Sequence, residues 1–165
     1  MYKIIPLSLL FLCSPFAVGS VVNINVYGSV IASPCELETK NYLIDFNKIN
    51  IRNIKNNQKS DWVNFSIKLK NCPITTNKVT MTLNGIIDPN YPEYFINNGT
   101  AKNTALNIAT QLNKSIIKNN EKLIVNINQQ THNAEFPLSA RIIGYGSNIT
   151  VGSFKSHLEF TLLYN

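Results

Sequence analysis

The residues able to do covalent or ligand chemistry are few: three cysteines, two histidines and a handful of carboxylates. His132 and His157 stand at no ligand-like spacing to a cysteine, so no metal site is expected. Asp45 and Asp61 are isolated, and isolated acids read as surface or turn groups rather than a catalytic pair. Neither a Gly-x-Ser-x-Gly nucleophile turn nor a phosphate loop occurs. The expectation is therefore no enzyme and no cofactor. Tyr91, Tyr94 and Phe95, in the 89–98 loop, offer an aromatic platform for a sugar, which keeps a carbohydrate-binding adhesin domain as the alternative reading.

What chemistry the cysteines do depends on where the chain goes. Residues 1–19 have the plan of a secretory signal peptide: Lys3 at the start, an apolar run over 4–11, and small residues Ala17 and Gly19 at the cleavage site. Pro6 and Pro15 bracket a run too short to cross about 30 Å of hydrocarbon. Leu12 is too bulky for lipoprotein processing at Cys13, so Cys13 is expected to leave with the leader. Cys35 and Cys72 then remain in an oxidising compartment, where a disulfide is the default. Closing that loop stabilises a fold by roughly 4 kcal/mol in the chain-entropy model.

The formal charge of +6 loses one unit with Lys3. The nearest approach to a basic cluster, Lys48, Arg52, Lys55 and Lys59, alternates with Asn53, Asn56 and Asn57 and has no interleaved aromatic residues. It reads as a polar loop, and nucleic acid is not an expected partner.

The elements that carry these residues are almost all strands. A chain that is 44% apolar and 15% charged is globular, and its length suits one domain. Period-2 alternation appears at Tyr42, Ile44 and Phe46; at Val63, Phe65, Ile67 and Leu69; and at Val79, Met81 and Leu83. It returns at Leu106, Ile108 and Leu112, at Leu123, Val125 and Ile127, and at Phe136, Leu138, Ala140 and Ile142. Turn formers such as Asn84-Gly85, Asp88-Pro89-Asn90, Asn97-Asn98-Gly99 and Gly146-Ser147-Asn148 separate these runs. No long segment has a helical period. Short strands at this spacing predict an all-β sandwich of immunoglobulin type, with Trp62 as a candidate core aromatic.

Two terminal stretches stand apart. In 152–165, Phe154, Leu158, Phe160, Leu162 and Tyr164 share one parity, and Lys155, His157, Glu159 and Thr161 the other. Alternation that reaches the penultimate residue requires something to pin it, because chain ends fray. Near the other end, Val22, Ile24, Val26, Gly28 and Val30 alternate with polar residues a few positions before Cys35. Such a run is either the first strand of the sandwich or an amphipathic strand suited to completing another molecule's sheet. Gly28 favours the second, because a glycine in a strand's apolar series often marks close approach by another backbone or side chain.

Together the 22–30 extension with Gly28, the early pair Cys35 and Cys72, and a C-terminal pattern with penultimate Tyr164 and Gly152 fourteenth from the end resemble the pilin subunits of chaperone-usher fimbriae. Ser33-Pro34-Cys35 and the stretch from Asn107 to Leu112 are similar to stretches common in the type 1 fimbrial group, although this chain is richer in Asn and Lys. The resemblance covers the whole mature chain. It implies a signal peptide at 1–19, a donor-strand extension at 20–31 and a pilin domain at 32–165.

The fold so implied is an incomplete immunoglobulin-like β-sandwich that lacks its last strand, with a groove beside 152–165 lined by Gly152, Phe154, Leu158, Phe160, Leu162 and Tyr164. A periplasmic chaperone fills the groove during export. At an outer-membrane usher, the extension of a neighbouring fimbrial subunit replaces it, and the product is an adhesive fimbrium on the bacterial surface.

Overall fold

The computed structural model describes residues 24–29 and 34–165. The expected leader, with Cys13, and the extension residues Val22 and Val30 lie outside the described residues. Residues 24–29 have no assigned secondary structure and are exposed. Ala32–Asn165 is one compact unit. Its strands are β1 (Glu36–Leu37), β2 (Val63–Lys70), β3 (Lys78–Gly85), β4 (Phe95–Ile96), β5 (Thr104–Thr110), β6 (Lys122–Asn126), β7 (Ala134–Gly144) and β8 (Leu158–Tyr164). The sole helical element among the described residues is a 3-10 turn, Ile51–Asn53.

Two sheets result, both antiparallel. One has the order β1-β2-β7-β5-β4 and the other β6-β3-β8. One parity of each strand is apolar, and those residues fill the space between the sheets: Ile67 and Leu69 from β2, Val79, Met81 and Leu83 from β3, Ile108 from β5, and Phe136, Leu138 and Ala140 from β7. Cys35 and Cys72 are disulfide-linked and belong to this core. The bridge ties the segment entering β1 to the loop that follows β2.

Pro137 lies in β7, the middle of the larger sheet, where a proline normally costs a ladder hydrogen bond. Here the loss falls at the end of a ladder. The β5–β7 register ends at Thr110 opposite Leu138, and beyond it the Pro137 carbonyl accepts from Gln111 N at 3.0 Å.

Four expectations are corrected. Trp62 is half-buried and caps the outer face of the larger sheet, because Arg141 and Lys114 lie against its ring. Leu112 is 94% exposed, since β5 stops at Thr110 and the chain turns. Tyr42, Ile44 and Phe46 alternate as expected, with the residues between them exposed, but 41–46 joins neither sheet. The sugar platform does not form either: Phe95 pairs with Leu106 and is 1% exposed, and Tyr94 is 7% exposed, leaving only Tyr91 partly accessible.

Candidate functional site

The last strand has a neighbour on one side only. β8 pairs with β3 from Leu158 opposite Gly85 to Tyr164 opposite Val79. Asn165 and Lys78 exchange both backbone hydrogen bonds at 3.0 Å. In an antiparallel ladder every second residue repeats that pairing, so the odd-numbered residues of β8 turn their peptide groups toward β3. The N–H and C=O groups of Leu158, Phe160, Leu162 and Tyr164 therefore point to the unpaired edge.

The strand-like course continues upstream with the same parity. Ser153 O and Lys155 O accept from Ala101 N (3.0 Å) and Asn98 N (2.6 Å), and Lys155 N donates to the Asn97 side chain at 2.8 Å. Gly152 permits this docking. A Cβ there would lie 2.5 Å from Ala101 N and 2.6 Å from Thr100 Oγ1. From Phe154 to Tyr164 the even-numbered residues are all half-buried and the odd-numbered ones all exposed, so these even-numbered residues, apolar except Ser156, present side chains to the core and free peptide groups to the edge.

Facing that edge runs the 41–46 segment. Tyr42, Ile44 and Phe46 pack on the main core, and its backbone makes no backbone hydrogen bond among the described residues. Between the two lies a groove of about 1080 Å³. Its floor is the core itself, with Ile67, Leu83, Leu106, Ile108, Leu138 and Ala140 among the lining residues. The two walls touch at one end, where Phe46 meets Phe154 edge to face, centroids 6.1 Å apart; at the far end of β8, outside the groove lining, Tyr164 donates to the Cys35 carbonyl ahead of β1. Burial pushes the Tyr164 phenol above its ordinary range, favouring the neutral form beside the apolar floor.

Of the groove residues expected from sequence, Gly152, Phe154, Leu158 and Phe160 line this groove, Leu162 and Tyr164 pack on the core farther along the same strand, and Ile24, Val26 and Gly28 lie in the exposed 24–29 segment. The opposite wall was missed as a site, although its alternation at Tyr42, Ile44 and Phe46 was visible. No cluster of three or more potential metal ligands occurs among the described residues. What this arrangement can do is chemical only in the sense of recognition: it can accept one extended strand, with backbone partners on either side and apolar side chains inserted below.

A sandwich with one strand position vacant between two unpaired edges defines a class, the incomplete immunoglobulin-like fold that solved pilus subunits share. The family model described as "Fimbrial protein" matches residues 24–165, and the chain belongs to that family. It is 32% identical over 136 residues to the uncharacterized fimbrial-like protein YdeR of Escherichia coli K12, covering 82% of this chain and 80% of YdeR. It is 27% identical over 159 residues to FimG of the same organism, covering 96% and 93%. A solved chaperone-usher pilus subunit superposes with a TM-score of 0.69 at 19% identity, over 92% of this chain and all of the other. The chain is a structural fimbrial subunit.

Proposed function

We propose that the groove is the acceptor site of a polymerisation by donor-strand exchange, with residues 1–19 removed on export, 20–31 acting as donor strand and 32–165 as the acceptor domain. The carrying observation is the coincidence, from Phe154 to Tyr164, of core-facing side chains with unpaired peptide groups on the same residues. A strand laid between that wall and 41–46 bonds to both and covers the half-buried rim of the core. Val22, Ile24, Val26 and Val30 have the alternation to do this. Their burial would contribute roughly 6 to 12 kcal/mol before ordering costs.

Before assembly the same groove needs another occupant, since an open edge over an apolar floor aggregates. A periplasmic chaperone strand fits that requirement, with transfer to a neighbour at an outer-membrane usher. The role is structural, not enzymatic, and the product is a surface fimbrium reached through the periplasm. A sugar-binding role for the 89–98 aromatics has no support from their burial.

Expression with and without a chaperone tests this. The chain should be recovered soluble only in complex with the chaperone, or with a supplied donor strand. A stable soluble monomer lacking both would refute the reading.

A further inference from the structure

The face of the larger sheet turned away from the groove carries two cations that the fold does not neutralise. Asn64 lies opposite Ser139, and Ser139 opposite Ala109, in one row across β2, β7 and β5; Arg141 and Asn107 face each other in the next row. Trp62, just before β2, lies beside them. The Arg141 guanidinium is 3.9 Å from the indole centroid, and its Nε donates to Asn107 Oδ1 at 3.0 Å. Lys114 Nζ lies 5.3 Å from the same centroid and donates to Ser139 Oγ at 2.7 Å and Asn64 Oδ1 at 3.2 Å.

Among the described residues neither cation has a carboxylate within salt-bridge distance; the one ion pair is the exposed His157–Glu159. The outer fork of Arg141 makes no hydrogen bond among the described residues. Two further features single out the place. Lys114 has φ 56°, the one lysine among the non-glycine left-handed positions, which are otherwise asparagines and a histidine. A bulky residue there is uncommon, and it brings the ammonium back over the sheet. Asn107 is fully buried, and its Nδ2 has no partner although its Oδ1 is held by Arg141.

We propose that Trp62, Lys114 and Arg141 form a binding site for the carboxylate of an acidic sugar. A guanidinium fork and an ammonium suit a carboxylate, and the indole beside them offers a flat apolar surface to a sugar ring. A protein partner fits less well. The strands beneath are all paired, so there is no edge to augment, and Ala105, Ala109 and Ser139 are fully buried. The site comprises three side chains, against about 20–30 residues a side in a specific protein interface.

Trp62 is the chain's one tryptophan, so its fluorescence reports on the site. The exported chain, in the form recovered from cells, is titrated with N-acetylneuraminic acid and glucuronic acid, with galactose, acetate and a polyglutamate peptide as controls. The signal lost in Trp62→Phe defines the background. Both acidic sugars should give a saturable change that Lys114→Gln and Arg141→Lys each weaken about tenfold, the first by removing charge and the second by removing the fork. Lys114 lies in a surface turn, so Lys114→Gln keeps the test informative should Arg141→Lys misfold. An equal response to galactose or acetate, binding of polyglutamate alone, or unchanged affinity in Lys114→Gln would overturn the proposal.

Discussion

The Tyr164 hydroxyl donates to the carbonyl oxygen of Cys35 at 3.3 Å, joining the penultimate residue to the half-cystine 129 positions earlier. Because Cys35 is bonded to Cys72, the end of the last strand, the segment entering β1 and the loop after β2 are held together at one point. The last strand therefore has a fixed end.

That geometry separates the two parities of β8. Tyr164→Asp and Leu162→Asp place a charge beside the apolar floor, where it cannot stay solvated, and should abolish recovery with a chaperone. Tyr164→Phe loses one partly exposed hydrogen bond, at a cost of about 0.5–1.5 kcal/mol, and should be recovered nearly normally. Thr161→Ser, on the exposed parity, should have little effect. Co-purification yields for the four variants check this, and equal yields for Leu162→Asp and Thr161→Ser would show that parity is irrelevant.

Gly28 meets nothing within 4 Å of a Cβ built on it, so Gly28→Leu should leave the subunit's own fold intact. If the extension enters a neighbour's groove with Gly28 at a narrow point, the same change should block assembly. Chaperone-bound variant should accumulate while fibre length falls; polymerisation at the normal rate would remove the constriction from the model.

The mature protein should contain one disulfide and no free thiol, because Cys35 and Cys72 are paired and Cys13 is expected to depart with the leader. Intact mass with and without alkylation reads this directly. Cys35→Ser with Cys72→Ser should lower stability by about 2–5 kcal/mol.

Tyr94 gives a pH dependence. Burial first, then the neighbouring Glu93 carboxylate, pushes its phenol up to about 12 from 10.0. A raised folded pKa favours the neutral phenol in the fold, so its stabilisation is complete below pH 10 and is lost as pH rises from 10 through 12. Tyr145 and Tyr164 shift in the same direction. Urea midpoints of the strand-complemented subunit should fall across that window, and Tyr94→Phe should reduce the fall. A midpoint that rises with pH there would contradict the assignment.

The strand parities were legible in the sequence because a half-buried strand needs one apolar face, whatever its neighbours are. Ile67, Met81, Leu138 and Leu162 could each be assigned inward from alternation alone. The disulfide was legible from cysteine parity once the leader was discounted. Three-dimensional pairing decided the rest. Tyr42, Ile44 and Phe46 carry a strand pattern yet have no sheet, since a backbone hydrogen bond needs a partner that this chain leaves out. Trp62 was expected in the core, but the register of β2 against β7 sets it beside Arg141 on the outer face. Tyr94 and Phe95 follow a turn, and nothing local marks them as buried; the pairing of Phe95 with Leu106 does. Alternation states which face a residue prefers, whereas only the assembled sheets determine what lies across from it.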